Sequence, residues 1–351
     1  MKRFSILIAA LCLCLTGCGK QTTEATAQIF AMDTVMEVAA YGPKAEEAVQ
    51  EAEGQIKALE NKLSRTKADS DVSRVNHNGT TPTTGLTYGT RALLPAALEY
   101  RDATNGAFDI TIAPVMDAWG FTGDSFRVPE RSELDELLKH VNSDEIQIQE
   151  EPAHSVTLGE GQAIDLGGIA KGYTSDLVEQ TFRANGIESG KISLGGNVFV
   201  LGGKPDGSEW RVGIKDPRNE SGLAAILSLR DAYAITSGGY ERYFEENGKT
   251  YHHIIDPSTG YPADSGLLSV TVVAADNGPD WAGAGNGAMC DAFSTALFVM
   301  GEEQALDFWR NGGYDFDLVL VTEDGRVVIT AGLADRFEEV KDSGYTYETV
   351  S

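Results

Sequence analysis

Lys191-Ile-Ser-Leu-Gly-Gly-Asn-Val-Phe-Val-Leu201 decides the fold class. Two short strand-like runs, Lys191–Leu194 and Asn197–Leu201, flank a glycine pair that leaves no room for a helix between them. The pattern continues downstream. Trp210–Lys215, Ala224–Leu229, Tyr233–Thr236, Tyr251–Ile255 and Leu267–Ala275 read as strands separated by Pro, Gly and Asn-Gly breaks. Leu318–Thr322 and Arg326–Thr330 predict a closing hairpin on Asp324-Gly325. Strand meeting strand argues for an α+β fold with mainly antiparallel sheet, and against a doubly wound parallel one. No short internal repeat is present.

Upstream the periods are mixed. Ile29 to Tyr41 reads as one strand. Ala45, Ala48, Val49, Ala52, Ile56, Leu59 and Leu63 keep helical spacing after Pro43. Gly89 to Ala103 predicts a helix kinked or broken at Pro95. Ser132-Glu-Leu-Asp135 reads as a capping box opening a helix to about Val141. Strands are expected at Glu145–Gln149 and Ser155–Leu158, and helices at Ile169–Ala184, Asp291–Met300 and Glu302–Arg310. The length suits one large domain or two closely joined lobes.

The N-terminus carries an address. Met1-Lys2-Arg3 is a basic start, and Phe4 to Leu15 is apolar but too short to span a bilayer. Leu15-Thr16-Gly17-Cys18 resembles the bacterial lipobox, which implies a signal over residues 1–17, cleavage before Cys18 and lipid on its thiol. Residues 18–28 then read as a lipidated polar tether, 29–340 as the folded domain and 341–351 as a frayed polar tail. The expected location is the extracytoplasmic, periplasmic face of the cell membrane, with the lipid as anchor. Only Cys290 remains in the folded part, so no internal disulfide is expected. A net charge of −25 argues against nucleic acid as a partner. It also means that any phosphate ligand needs local attraction from amides, a lysine or a metal.

Three segments carry chemistry. Asp165-Leu-Gly-Gly-Ile-Ala-Lys-Gly172 lies between a strand and a helix, where close backbone approach, free amides and Lys171 would suit an anion. Alone it reads equally as a tight turn with a solvent-facing lysine. Asp291-Ala-Phe-Ser-Thr295 offers a carboxylate and two hydroxyls at a helix start, hard oxygens that suit Mg²⁺, or else a plain helix cap. Tyr251-His-His-Ile-Ile-Asp-Pro-Ser-Thr-Gly260 holds two of five histidines, and strand alternation sends them to opposite faces. Gly106-Ala-Phe-Asp109 offers a ring for stacking and a carboxylate acceptor, or a buried aromatic with a capping Asp. Zinc-like spacing is absent, and Thr236-Ser-Gly-Gly239 lacks the hydrolase elbow.

Together with Ala31-Met-Asp-Thr34, Asp69-Ser-Asp-Val-Ser-Arg-Val-Asn76 and Ser237-Gly-Gly-Tyr240, these segments in this order resemble the ApbE family of FAD:protein FMN transferases, often membrane-anchored lipoproteins. The resemblance runs from about Ala31 to Arg336. It implies an ApbE-like, T-fold-like α+β fold, with FAD in a cleft between two closely joined lobes. It implies flavin contacts from Met32, Thr66, Ala107, Phe108 and Asp109, FAD contacts from Asp165 and Lys171, and Ile255 against the cofactor. Mg²⁺ would be held by the Gly168 carbonyl with Asp291, Ser294 and Thr295, and His253 would be the catalytic base. The implied reaction moves FMN from FAD to a Thr or Ser hydroxyl of an acceptor protein, usually a subunit of a membrane redox complex, and releases AMP. FAD hydrolysis to FMN and AMP, or flavin binding without catalysis, are the alternatives. Many relatives read Met-Gly-Thr where this chain has Met32-Asp33-Thr34, and Asp276 to Met289 looks like an extended lead into the metal helix.

Overall fold

The computed structural model describes residues 23–123, 125–150, 152–219, 221–276, 278 and 283–351. The signal, Cys18 and part of the 276–289 lead lie outside the described residues. The strands are β1 (Glu24–Ala31), β2 (Thr34–Tyr41), β3 (Thr80–Pro82), β4 (Gln147–Gln149), β5 (Ser155–Thr157), β6 (Ser189–Leu194), β7 (Asn197–Leu201), β8 (Trp210–Lys215), β9 (Leu223–Leu229) and β10 (Ala232–Gly238). They continue as β11 (Tyr243–Glu246), β12 (Lys249–His252), β13 (Leu267–Ala275), β14 (Asp317–Thr322), β15 (Arg326–Thr330), β16 (Phe337–Glu339) and β17 (Thr346–Val350). The helices are α1 (Ala45–Leu63), α2 (Asp71–Asn78), α3 (Tyr88–Ala103), α4 (Ala113–Trp119), α5 (Arg131–Leu137), α6 (Ala170–Ala184), α7 (Asn286–Met300) and α8 (Glu302–Asn311).

Nine strands form one sheet in the order β1-β2-β6-β7-β10-β13-β14-β15-β17. Every neighbouring pair is antiparallel except β15 and β17. The expected α+β class with mainly antiparallel sheet is therefore the observed one.

The central strands are apolar on both faces because both faces are covered. Phe199, Val272, Leu318 and Leu320 point into the large core shared with α1, α6 and α7. Their neighbours Val200, Val273, Val319 and Val321 point the other way, onto Trp210, Val212, Leu227 and Leu229 of the three-stranded sheet β16-β9-β8. A third, small core gathers Val115, Trp119, Phe121, Leu134 and Ile255. Ile254 belongs to the large core and Ile255 to the small one, so the His253-Ile254-Ile255 segment runs along their seam.

Several sequence expectations change. The single strand over Ile29 to Tyr41 is a hairpin, β1 and β2, turning on Met32 and Asp33 with φ of 48° and 59°. Both centres of a two-residue type I′ turn need positive φ, so the geometry follows from the pairing even though neither residue is glycine. Because β1 starts at Glu24, the tether expected over 18–28 is partly strand. The tail expected to fray over 341–351 instead supplies β17, hydrogen-bonded along β15. Helix α3 runs unbroken through Pro95. Ser132 does not cap α5, which begins at Arg131 behind Glu130. The β11–β12 hairpin was not foreseen, and Tyr251 and His252 end it.

Helices α6 and α7 touch backbone to backbone. A Cβ on Gly172 would lie 2.0 Å from the Gly287 oxygen, and one on Gly287 would lie 2.5 Å from the Gly172 oxygen. Neither neighbour is a side chain that could rotate away. Gly172→Ala should therefore destabilise the fold by about 1–3 kcal/mol, read as a lower urea midpoint, whereas Gly54→Ala, where an added Cβ meets nothing within 4 Å, should raise it slightly.

Candidate active site

The glycine loop leads into α6. Asn76 clamps its start, donating to the Ile164 oxygen at 3.0 Å and accepting from the Ile164 N–H at 2.8 Å. The Asp165 N–H donates to the Ile110 oxygen at 2.7 Å, and Asp165 Oδ1 accepts from Gly167 N–H at 2.7 Å. Gly168 packs against Phe108 and Thr295: a Cβ there would be 3.1 Å from the Phe108 ring and 3.7 Å from Thr295 Oγ1. Lys171 is half-buried in the first turn of α6 and makes no ion pair among the described residues.

Helix α7 brings the oxygens. Asp291 was expected as its N-cap, but the helix starts at Asn286, five residues earlier, and Asp291 is buried inside it. The capping is done from α6: the Asp176 carboxylate accepts from the N–H groups of Gly285, Gly287 and Ala288 at 3.0, 2.7 and 3.1 Å. Burial raises the Asp176 carboxyl to about 7, and those amides oppose the rise. Asp291 Oδ2 accepts from Gly172 N–H at 2.8 Å. Ser294 is fully buried, and its hydroxyl lies 2.9 Å from the Asp291 carbonyl and 2.8 Å from Ser237 Oγ. Thr295 Oγ1 lies 3.2 Å from Ser237 Oγ and faces Gly168. One carboxylate, two hydroxyls and a nearby carbonyl form a set of hard oxygens, the donor chemistry of a Mg²⁺ site. Among the described residues no cluster of three or more His, Cys, Asp or Glu is poised for a metal, so any cation here would draw on that hydroxyl and carbonyl set.

The two histidines divide as strand alternation predicts. His252 Nε2 lies 3.1 Å from the Ala263 oxygen, the ring meets Phe298 edge-on, and burial lowers its pKa. His253 turns the other way, its ring edge-on to Phe121 of the small core. Its backbone N–H donates to the Arg242 oxygen at 3.0 Å, and its Nδ1 lies 3.2 Å from that same oxygen. A carbonyl only accepts, so Nδ1 carries the proton and Nε2 is left bare as a base. Burial, then the Lys171 and Arg242 cations, pull the imidazole down to about 3, so the ring is neutral at physiological pH. Lys171 acts on His253 and also on Glu241, and Asp291 acts on Glu241 as well. Lys171 thus lies within electrostatic reach of the ring, one residue before the Gly172 N–H that is bonded to Asp291.

The other predicted residues are placed unevenly. Met32 sits at the hairpin turn, its N–H donating to Glu60 Oε1 at 3.1 Å. Asp33 is exposed and pairs with Arg242 at 3.3 Å, so its carboxylate is offset by a cation. Thr66 is exposed, 2.9 Å from Ser64 Oγ. Ala107 and Phe108 border the large core, and Ile255 lies in the small one. The expectation that the Asp109 side chain accepts from a ligand needs correction. Its carboxylate already accepts from Thr111 N–H and hydroxyl at 2.8 and 2.6 Å, and from Ser143 N–H and hydroxyl at 3.1 and 2.5 Å. It anchors the loop as the N-cap of the turn Ile110–Ile112, the capping alternative that the sequence offered. Sequence reading did not single out Arg65, Asp176 or Glu241, and weighed Ser237 only as a nucleophile. Ser237 lies in the Ser237-Gly-Gly-Tyr240 motif, which was its signal; the others have partners too distant in sequence to read.

The ApbE family model matches residues 32–318. An FAD:protein FMN transferase from Treponema pallidum is 31% identical, over 99% of this chain and 98% of that protein. Another of the same name from Klebsiella pneumoniae is 34% identical over 83% of this chain and 86% of its own length. The crystal structure of an ApbE protein from Thermotoga maritima superposes with a TM-score of 0.77 at 32% identity, covering 91% of this chain and 97% of that one. The apo form of the flavinyl transferase ApbE from Pseudomonas stutzeri gives 0.73 at 29%, covering 87% and 92%. The seam that carries His253, the glycine loop and the α7 oxygens lies inside the matched region, and the chain belongs to the ApbE family.

Proposed function

We propose that this chain is an FAD:protein FMN transferase that moves FMN from FAD onto a Thr or Ser hydroxyl of an extracytoplasmic acceptor protein. The observation that carries the reading is His253 itself: a neutral ring with its Nδ1 proton held on the Arg242 carbonyl and within electrostatic reach of Lys171. The relatives' printed names, FAD:protein FMN transferase, support the substrate and the acceptor class.

In this reading the diphosphate of FAD lies by Lys171 at the N-terminal end of α6, where a local cation and the positive end of the helix dipole offset the repulsion of a chain of net charge −25. The acceptor hydroxyl attacks the phosphorus on the riboflavin side. Its proton passes to His253 Nε2, the new P–O bond forms, and the bond to AMP breaks. The Gly168 carbonyl, Asp291 and Thr295, with Ser294 on the inner side, would hold Mg²⁺. That ion, when bound, would neutralise charge on the diphosphate oxygens.

From Leu15-Thr16-Gly17-Cys18 alone we also propose the lipid anchor on Cys18. Membrane redox subunits are the proposed acceptors, being proteins met at that surface.

The deciding experiment incubates the protein with FAD, Mg²⁺ and a candidate acceptor, then follows covalent FMN by mass spectrometry and AMP with and without acceptor. Wild-type protein that forms neither product ends the reading. His253→Ala should keep FAD binding and lose transfer about 10²–10⁴-fold; transfer at the wild-type rate would remove the histidine from the mechanism. Asp291→Ala should cut turnover and shift the Mg²⁺ titration to higher concentration, and an unchanged titration would count against the metal assignment.

The pH profile gives a separate check. With the free ring held near 3, kcat/KM should show no acid inflection near 6.5, where a free imidazole titrates. Bound diphosphate counters the effect of Lys171, so the acid limb of kcat should lie above that of kcat/KM. An inflection of kcat/KM at 6.5 that His253→Ala abolishes would contradict the assigned environment. Cys18→Ser should move the protein from the membrane fraction to the soluble one.

A further inference from the structure

Arg65 is used by no step above. It follows α1, beside Thr66, and its side chain is only 10% exposed. The guanidinium grips α4 with its fork: Nη1 donates to Asp117 Oδ1 at 2.8 Å, Nη2 to Asp117 Oδ2 at 2.7 Å, and Nη2 also to the Ala113 oxygen at 3.1 Å. Its Nε–H is buried and has no hydrogen-bond partner among the described residues. It faces Asp165 Oδ2 at 3.6 Å, just beyond hydrogen-bond reach. Asp165 Oδ1 is already taken by Gly167 N–H. Oδ2 is the free acceptor, on a carboxylate that is 19% exposed. A buried N–H without an acceptor is costly, and a short approach of these two groups would relieve it.

The geometry points to Arg65 as a positioning residue for flavin recognition: with its fork fixed on α4, its Nε holds the Asp165 carboxylate so that Oδ2 accepts a hydrogen bond from an N–H or O–H on the FMN half of the dinucleotide. This rests on the flavin reading of the cleft. A carboxylate oxygen repels phosphate, which assigns it to an uncharged part of the ligand. The Asp165 N–H is bonded to the Ile110 oxygen, two residues beyond Phe108, and Arg65 adjoins Thr66; on the flavin reading both neighbours belong to the flavin side of the site. Arg65 also spans the seam, since Asp117 lies on the helix that carries the small core and Asp165 opens the glycine loop.

The test uses the full chain in detergent, with riboflavin and AMP as separate probes of the two halves and FAD for turnover. Arg65→Met should weaken riboflavin binding, followed by fluorescence quenching, and raise KM for FAD, each by about tenfold. AMP affinity and kcat should stay within about threefold of wild type. Arg65→Lys, which keeps the charge but cannot fork one carboxylate while reaching another, should recover only part of the loss. The double variant Arg65→Met/Asp165→Asn should bind riboflavin no more weakly than Asp165→Asn alone.

Wild-type riboflavin affinity in Arg65→Met would overturn the inference. So would equal losses for riboflavin and AMP, the sign of a generally loosened cleft, or additive losses in the double variant. If Arg65→Met does not fold, Arg65→Lys alone decides by the same comparison of the two probes. Wild-type protein that binds riboflavin but neither releases AMP nor transfers FMN defeats the transferase reading while the Arg65 comparison still stands or falls by itself; wild-type protein that binds no riboflavin defeats both.

Discussion

One hydrogen bond, from the Gly172 N–H to Asp291 Oδ2, joins chain segments 119 residues apart, and the rest of the site is arranged around it. It exists only because α6 and α7 approach with glycine facing glycine, so that backbone meets backbone without intervening side chains. The same approach sets the Asp176 carboxylate over the first amides of α7, which would otherwise be buried without partners. It also brings Gly168 alongside Thr295. The position of Lys171 at the start of α6 beside the oxygen set of α7 is therefore a consequence of one packing contact.

The second constraint is the seam between the large core and the small aromatic one. His253 stands just past the end of β12, where the next two residues, Ile254 and Ile255, enter different cores. That position packs the ring against Phe121. Strand β10 links it to α7: Ser237 touches Ser294 and Thr295, and five residues later Arg242 offers its carbonyl to the histidine. The backbone, which mutation cannot easily alter, thus sets the tautomer. Burial with two neighbouring cations keeps the ring neutral. A histidine in that state can take a proton from a nucleophile but cannot serve as a cation for phosphate, a task left to Lys171.

Charge follows the same division between global and local. An overall charge of −25 repels a dinucleotide at long range, but salt screens that field beyond about 10 Å. What matters at the site is the half-buried Lys171, which has no ion pair among the described residues, at the positive end of a helix. Asp33, unusual beside the family pattern, pairs with Arg242 and so adds little net charge at the hairpin turn. Surface pairs of this kind contribute little stability.

Much of the architecture was legible in the chain itself. Alternating and continuous apolar runs marked most strands of the large sheet, because burial on one or both faces leaves a local periodic trace. The helical spacing of α1 and the glycine pairs did likewise, and the ordered motifs named the family. What the sequence could not show depended on distant partners. The Met32-Asp33 turn lacks the Asn-Gly signature, so its hairpin was read as one strand. Thr346–Val350 looked like a polar tail, and only the open edge of β15 makes it a strand. Asp109 read as either a ligand acceptor or a cap, and its bonds to Thr111 and Ser143 decide for the cap. Asp291 looked like a cap, because the chain does not announce that Asp176, on another helix, already fills that role. Periodicity and motif order are properties of neighbours along the chain. Which lone pair or N–H remains free is decided by residues a hundred positions away, and only the packed structure brings those together.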